Sequence, residues 1–344
     1  MLKNDEVLAQ SKGAYAQWGE TWRSHAKRNG ELAKKRGTPN MRMYGHGVGM
    51  NAICVGFGAS LEDHLDDLRN KTKAFEILCV DKAMGYLFDN DIAPDFVYVA
   101  DAGVSYEKFC EPYLDKIKEH GTCLVANVTS NPEWGEGWPE DNKIFYYVNE
   151  DNIQSQLEYG PISGVTEMVK AASNVGNSVI VHSSTFQCYD GFYLIGYDYS
   201  WQWKGNYYCG NNTGGDKRWY MNHHQVITPQ GEMCSTSANL LFSARWLQDF
   251  VQVELLPKGR MIFNATKVGI LNAPQVELSK VYEVIKRREP SNEEMNHIID
   301  RRSQRIMTNT PEAMNEALQN KNILDVAIRY VPEDLFMEVT NATD

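Results

Sequence analysis

From residue 51 onward the chain alternates short apolar runs with amphipathic segments, and this alternation most constrains the fold. The segments between the apolar runs predict helices near 60–71, 82–90, 104–119, 163–174, 177–189 and 235–248. The apolar runs themselves predict strands near 51–55, 75–80, 95–100, 121–126, 144–148, 192–196 and 250–255. Strands separated by helices form parallel sheets through right-handed crossovers, so we predict a doubly wound, Rossmann-like α/β fold. Ligands of such folds bind at the carboxyl ends of the strands.

The two ends of the chain differ in sequence pattern from this central part. Residues 1–48 predict a helical N-terminal arm that is basic toward its end. This arm is either exposed to solvent or a surface that docks an acidic partner. Residues 49–273 are the predicted nucleotide- or nucleotide-sugar-binding catalytic domain, and within it 199–234 form an aromatic loop typical of a lid. Residues 274–344 predict a C-terminal helical region, with helices near 276–288, 291–306, 311–319 and 322–329.

Composition excludes several classes of protein. The 344 residues are 42% apolar and 23% charged, which excludes collagen-like and intrinsically disordered chains. The net charge of -11 argues against broad nucleic-acid binding, although a DNA acceptor at a local basic groove stays open. We find no membrane-spanning run and no signal sequence, and the seven cysteines lack metal-ligand spacing. We therefore expect a cytoplasmic protein with reduced thiols.

The first candidate site is the turn at 56–60, between the first predicted strand and an acidic helix. Its two glycines let the backbone approach a ligand, and its serine can cap the helix and bind phosphate oxygens. The turn lacks the Gly-Lys-Ser/Thr of a Walker loop, and Leu61 replaces the third glycine of a dinucleotide fingerprint. A tight turn without a ligand is the alternative interpretation. The predicted phosphate contacts here are Gly56, Phe57, Gly58 and Ser60.

Carboxylates follow three of the predicted strands: Asp81, Asp101 and Asp198. Because the carboxyl ends of parallel strands share one edge, we expect these groups at the ligand crevice. Asp81 stands where NAD enzymes bind ribose, which keeps an NAD-dependent oxidoreductase open, and Lys82 is a candidate phosphate contact. Asp101 and Asp198 are candidate catalytic residues and candidate ligands of a metal such as magnesium.

Further polar residues fall near the same predicted edge. A small polar turn begins the helix at 177, and tyrosines and histidines populate the aromatic loop. Hydroxyl and amide groups stabilise a departing phosphate, and an imidazole or carboxylate can accept the proton of an acceptor hydroxyl. The predicted donor contacts are Asn177, Ser178, Tyr197, Tyr199 and Tyr207, and the candidate bases are His223, His224 and Asp101.

In order and spacing, these motifs resemble a known family over about residues 50–272. The first is Gly56-Phe57-Gly58-Ala59-Ser60-Leu61, which is similar to the family's Gly-x-Gly-Pro-Ser-Leu. The others are the segment 92–95 leading to Asp101, the pair Asn177-Ser178, the segment 194–198, and the segment 263–269, which is similar to the family's Asn-Ala-Thr-x-Gly-Gly. The set resembles the motility-associated-factor glycosyltransferases of flagellin modification. Their central domain is shared with archaeal-type 6-hydroxymethylpterin diphosphokinases and resembles bacterial CMP-sialic-acid sialyltransferases.

The sequence differs from the sialyltransferases at positions that bear on which donor is bound. Phe57, Asp81 and Asp101 stand where those enzymes have asparagines, and Ala59 replaces the proline usual in the wider family. Carboxylates repel phosphate unless a cation intervenes, which argues against CMP-sialic acid as the donor.

The resemblance implies a glycosyltransferase that moves a sugar from a nucleotide-activated donor to an acceptor. The sequence leaves the acceptor open among protein, glycan and modified DNA base. We expect no tightly bound cofactor beyond the nucleotide-sugar donor, with magnesium and a homo-oligomeric state left open. Two alternatives remain: a Mg-ATP-dependent diphosphokinase acting on a hydroxymethylpterin, and a non-catalytic nucleotide-binding or oligomeric protein.

Overall fold

The computed structural model describes residues 4–149, 158–170, 172–201, 209 and 224–287. Its strands are β1 (Asn51–Val55), β2 (Phe75–Val80), β3 (Phe96–Val99), β4 (Cys123–Asn127), β5 (Ile144–Asn149), β6 (Met168–Val169), β7 (Gly191–Ile195), β8 (His224–Ile227), β9 (Met233–Thr236) and β10 (Met261–Asn264). Its helices are α1 (Asn4–Arg36), α2 (Leu65–Arg69), α3 (Asp81–Asp89), α4 (Tyr106–Phe109), α5 (Leu114–His120), α6 (Glu133–Gly137), α7 (Gly160–Ser163), α8 (Val175–His182), α9 (Ala238–Phe250) and α10 (Leu278–Arg287).

Eight of these strands form one parallel sheet in the order β10-β7-β1-β2-β3-β4-β5-β6. β1 lies where the winding direction reverses, because it pairs with β2 on one side and β7 on the other. This arrangement confirms the predicted doubly wound fold. The crevice at such a switch point lies beyond the carboxyl ends of β1 and β7.

Helices cover both faces of the sheet, which explains why its strands are continuous apolar runs. On one face Tyr98 of β3 contacts His182 of α8, with ring centroids 5.5 Å apart. On the other face Phe75 of β2 contacts Tyr282 of α10, with ring centroids 5.1 Å apart. Tyr98 is aligned with Val80, five residues after Phe75, so the two aromatic side chains point to opposite faces.

The long helix α1 confirms the predicted helical arm, and its C-terminal half packs on the rest of the chain. Ala26 and Asn29 are buried, and Asn29 Nδ2 donates to the carbonyls of Val128 (2.8 Å) and Ser130 (2.9 Å). Arg28 forms an ion pair with Glu136. No helix within the described ranges is long and apolar enough to span a membrane.

The strand predicted at 250–255 is wrong. Val251–Leu255 continue α9 as a π-helical turn, and the last strand of the sheet is β10. Val251 and Leu255 are buried while Val253 is 60% exposed. A strand would turn all three side chains to one face, whereas the helical spacing separates the middle one from the others.

Two predicted helices also need correction. The helix at 163–174 is wrong, because α7 ends at Ser163, Gly164 adopts a φ of +70°, and β6 follows at the sheet edge. The helix at 104–119 is divided into α4, a 3-10 turn and α5. Pro112 lies at the start of that turn and lacks the N–H that would continue α4.

Candidate functional site

The turn after β1 lies directly against the turn after β7. The N–H of Gly56 donates to the Ile195 carbonyl (2.8 Å), and the N–H of Gly58 donates to the Gly196 carbonyl (2.9 Å). A Cβ on Gly56 would lie 2.4 Å from the Gly196 oxygen, so a side chain there would collide with the neighbouring backbone. The glycines therefore allow the two turns to meet at the switch point.

Asp198 is buried beneath this junction. Its carboxylate accepts hydrogen bonds from the Ser60 N–H (3.0 Å) and from the Ser60 hydroxyl. Burial raises the pKa of Asp198, and the hydrogen bonds from Ser60 oppose that rise. Gly269, in the last of the sequence motifs, has a φ of +89°, and a Cβ there would lie 2.6 Å from the Asp198 carbonyl oxygen. Three motifs distant in sequence thus meet around Asp198.

Three amides that the sequence analysis assigned to phosphate binding have partners within the chain. The N–H groups of Gly56, Gly58 and Ser60 all donate to the β7 turn. In this structure their role is to join β1 to β7. Phe57 and Gly58 remain half-buried, and the Phe57 ring meets Tyr86 edge to face at 6.5 Å.

Residues at the start of α8 are likewise used in packing. Asn174 caps the helix by accepting from the Asn177 N–H (2.8 Å). The Tyr199 hydroxyl donates to Asn177 Oδ1 (2.5 Å), and the Tyr197 hydroxyl donates to the Gly176 carbonyl (2.9 Å). Asn177, Tyr197 and Tyr199 were predicted to contact the donor. The structure instead places them in the contact between α8 and the β7 turn.

Buried polar side chains from four elements meet at the carboxyl edge of the sheet. Burial raises the pKa of Tyr147 in β5 to about 12, and the nearby polar side chains of Ser178 and Asn127 oppose this rise. The charge of Asp81 acts on the same hydroxyl. Tyr147 therefore lies near Ser178 and Asp81, and Tyr147 and Asn127 are two residues at this edge that the sequence analysis did not name. Asn127 ends β4, so the strand-end rule could have found it, whereas nothing marks Tyr147 within its apolar run.

Asp81 is a buried carboxyl that titrates near neutrality. Burial raises its pKa to about 7, and the negative charge of Asp101 adds to the rise. The Lys82 ammonium opposes it, as does the Lys82 N–H, which donates to Asp81 Oδ1 (2.7 Å). A carboxyl of this kind can exchange a proton at physiological pH.

Asp101 is exposed at the rim, with the indole of Trp18 beside it. Asp101 Oδ1 accepts from the Gly103 N–H (2.8 Å). A Cβ on Gly103 would lie 3.3 Å from Trp18 Cη2 and 3.6 Å from Asp101 Oδ1. The helix α1 therefore contributes a wall to the crevice. No sequence signal on this polar helix indicates that Trp18 reaches the strand edge.

The predicted pairing of Asp101 with Asp198 at a metal is not what the structure assembles. Within the described ranges no three His, Cys, Asp or Glu side chains are arranged to hold a metal. Asp198 is bound to Ser60, whereas Asp101 has Asp81 as its acidic neighbour.

Of the predicted aromatic-loop residues, Tyr207 and His223 lie outside the described residues. His224 begins β8, is exposed, and pairs with Thr236 in the β8–β9 hairpin. The Thr236 hydroxyl donates to the Tyr199 carbonyl (2.6 Å). The hairpin is thereby fixed to the segment that follows β7.

A family model described as 6-hydroxymethylpterin diphosphokinase MptE-like matches residues 30–204, slightly more than half of the 344 residues. The chain belongs to this family. The MptE-like match begins within α1 and includes the last seven residues of that helix. It also covers the turns after β1, β2, β3 and β7.

A solved structure with a similar fold is the MAf glycosyltransferase from Magnetospirillum magneticum AMB-1. The TM-score is 0.54 and the sequence identity 16%, with 88% of this MptE-like chain and 49% of that chain covered. The likeness shows a shared fold, and the MptE-like chain spans about half the length of the glycosyltransferase. No curated protein matches the sequence.

Proposed function

We propose that this MptE-like protein is a transferase that moves a glycosyl group from a nucleotide-activated donor to an acceptor hydroxyl. The observation that carries the proposal is the edge formed by β2 and β3, where buried Asp81, Lys82 and exposed Asp101 lie together. This edge combines a lysine that can bind phosphate with a carboxylate that is exposed to solvent. The fold shared with a MAf glycosyltransferase supports the same activity.

The donor phosphates are proposed to lie over Phe57 and Gly58, between Lys82 and the start of α8. The Lys82 ammonium and the positive end of the helix would stabilise the negative charge of the departing phosphate. The half-buried positions of Phe57, Gly58 and Gly176 support this placement, because ligand atoms can reach them. Magnesium, where present, would neutralise phosphate charge next to Asp81 and Asp101.

Asp101 is the proposed base. In the transfer, the bond from the anomeric carbon to the phosphate oxygen breaks, and a bond to the acceptor oxygen forms. The acceptor proton passes to the Asp101 carboxylate, and the nucleotide leaves with the electron pair of the broken bond. Trp18 beside Asp101 provides a flat apolar surface of the kind that sugar rings stack on.

The first experiment is a thermal-shift panel of CMP, CDP, UDP, GDP, ADP, ATP and NAD, each with and without magnesium. A ligand that binds only the folded protein raises its melting temperature. A shift by CMP or a nucleoside diphosphate supports glycosyl transfer and identifies the donor base. A panel in which no nucleotide raises the melting temperature contradicts the proposal.

Two substitutions then test the roles at the edge. Asp101→Asn is expected to reduce turnover by about 100-fold or more while donor affinity stays near wild type, since a base acts in the transition state. Lys82→Ala is expected to weaken nucleotide binding. Asp115→Asn, at an exposed carboxylate on α5, is the control. If Asp101→Asn lowers turnover and donor affinity equally, Asp101 is a binding contact and not the base.

Gly58 is unsuitable as a probe of phosphate binding. A Cβ there would lie 2.7 Å from both the Gly196 oxygen and Asp198 Oδ2. A Gly58→Val protein is expected to disrupt the β1–β7 junction, so loss of nucleotide binding in it would report misfolding.

A diphosphokinase is the second candidate, favoured by the description of the matching family and by the neighbouring carboxylates Asp81 and Asp101. Such an enzyme would transfer the terminal diphosphate of ATP to the hydroxymethyl oxygen of a pterin and release AMP. A thermal shift restricted to ATP with magnesium, together with AMP release that depends on 6-hydroxymethylpterin, would favour this activity over glycosyl transfer.

A further inference from the structure

A cleft of about 390 Å³ opens on the other side of the β1 turn, between the segment 60–67 and the loop that joins β10 to α10. Its lining includes Ser60, whose hydroxyl and N–H bind the buried Asp198. The cleft is separate from the edge formed by Asp81 and Asp101. None of the site residues predicted from the sequence, apart from Ser60, lines it.

One wall of the cleft carries a histidine that a carboxylate holds in place. His64 Nδ1 lies 2.9 Å from Asp67 Oδ2, three residues further along the same segment. Both side chains line the cleft and are partly exposed. In the neutral imidazole, a carboxylate that accepts from Nδ1–H leaves the lone pair on Nε2. That nitrogen is then an acceptor for a hydroxyl donor.

The opposite wall is built on a rigid turn. Asn264 Oδ1 accepts from the Thr266 N–H (2.9 Å), and Asn264 Nδ2 donates to the Val268 carbonyl (3.1 Å). These bonds hold Lys267 at a φ of +60°, an unusual conformation for a residue with a side chain. Lys267 is ion-paired with Glu277 across the rim. The wall is thus preorganised without a ligand.

The chemistry of the lining excludes some ligands and favours one class. Lys267 and Lys280 both pair with Glu277, while Asp63 and Asp67 add negative charge to the lining, so phosphate and other anions are disfavoured. Carboxylates and the hydroxyls of Thr266 and Ser279 can bind the hydroxyl groups of a neutral molecule. Val268 is partly exposed and offers an apolar surface for C–H groups, with Ala265 and Leu278 buried behind it. Many acceptors beside an apolar surface suit a saccharide.

We propose that this cleft binds a neutral saccharide unit and that His64, positioned by Asp67, accepts a hydrogen bond from one of its hydroxyls. The volume lies within the range of small-molecule sites and admits one or two sugar rings. The binding does not depend on the proposed transferase activity.

The test uses the side-chain nitrogen resonances of His64 in long-range ¹H–¹⁵N spectra of the full chain, recorded without nucleotide. The probes are methyl glycosides of neutral hexoses and, separately, inorganic phosphate, each at millimolar concentration. We expect the Nδ1–H tautomer in the unliganded protein and a saturable shift of the His64 resonances with at least one glycoside. Phosphate is expected to leave them unchanged.

Two variants make the result specific. Ser279→Trp places a large side chain in the cleft at an exposed position and is expected to weaken glycoside binding at least tenfold. Asn272→Trp, exposed and outside the lining, is the matched control and should bind as the wild type does. Asp67→Ala removes the acceptor of the Nδ1–H and is expected to change the tautomer of His64 and to weaken binding.

The outcomes separate this inference from the proposed function. A glycoside panel that leaves His64 unperturbed, a response to phosphate alone, or unchanged binding in Ser279→Trp overturns the saccharide site. Any of these can occur while nucleotides still raise the melting temperature. Conversely, glycoside binding without any nucleotide effect would support the cleft and contradict the transferase.

Discussion

Asp81 shows how burial changes the chemistry of a carboxyl group. Its pKa, raised to about 7 by burial, is far above the usual value for an aspartate. Between about pH 4 and pH 7 the folded protein therefore binds a proton at this site that the unfolded chain releases. The contribution of Asp81 to the free energy of unfolding is consequently lost as pH rises through this window.

The variant Asp81→Asn removes this pH dependence. The amide oxygen can still accept from the Lys82 N–H, so we expect Asp81→Asn to be more stable than the wild type at pH 8, by up to about 4 kcal/mol, and similar near pH 4. Urea unfolding at the two pH values measures the difference. Asp141→Asn, at an exposed carboxylate, is the control. A difference from wild type that stays constant with pH would contradict the burial argument.

Trp18 is the residue whose role depends most on the fold around it. Its indole lies next to Gly103 and Asp101 at the rim of the crevice. Stacking of an aromatic ring on a ligand contributes about 0.5–1.5 kcal/mol, so Trp18→Ala is expected to lower kcat/KM about threefold to tenfold. Trp18→Phe should restore most of the loss. Equal effects of the two substitutions on kcat/KM would exclude stacking.

Among the elements, the π-helical turn after α9 is the one whose hydrophobic pattern predicts the wrong secondary structure. The run Val251-Gln252-Val253-Glu254-Leu255 alternates as a strand does, yet the structure buries only the first and last of its apolar side chains. Lys258 and Lys170 both pair with Glu254 on the exposed side. Continuation of α9 decides the conformation here, because tertiary packing outweighs β-propensity.

Paired substitutions in this turn test the helical assignment. Leu255 is 1% exposed and Val253 is 60% exposed. We expect Leu255→Ala to cost about 2–4 kcal/mol of unfolding free energy and Val253→Ala less than about 0.5 kcal/mol. Urea denaturation of the two variants measures both. Comparable losses would instead indicate that both side chains face the core, as a strand requires.

At the level of the whole molecule, α10 belongs to the same core as the sheet. The boundary predicted at 273/274 stays a prediction, but Tyr282 is buried beyond it and its hydroxyl donates to the Asp67 carbonyl (3.0 Å). Its ring meets Phe75, which in turn meets Tyr193 at 5.3 Å. This aromatic series connects the segment after residue 274 to β2 and β7.

We therefore expect Tyr282→Ala to destabilise the entire sheet. The loss of a large buried ring should cost about 3–5 kcal/mol, whereas Tyr282→Phe should cost about 1 kcal/mol for the hydroxyl. Hydrogen exchange of β7 and α10 amides measures the effect, and both should lose protection together. Loss confined to α10 would mean that it unfolds as a separate unit.

The local sequence pattern was sufficient to predict the site residues that directly follow strands. Asp81 and Asp101 follow buried apolar runs, and parallel pairing necessarily brings such residues to one edge. Pattern could not show that Asn177 and Tyr199 bind each other, because that contact joins α8 to the β7 turn across 22 residues. Nor could it show that the amides of Gly56 and Gly58 would find partners in the β7 turn rather than in a ligand.

The sequence by itself determined the fold class, the position of the central strands and the helical nature of α1, because apolar periodicity and turn residues act over a few neighbouring positions. Only the tertiary structure decided which polar groups face a ligand and which face the protein. That distinction depends on the strand order, which places β7 beside β1, and on packing between distant segments. The same packing raises the pKa of Asp81, brings Trp18 to the rim, and forms a cleft between His64 and Thr266.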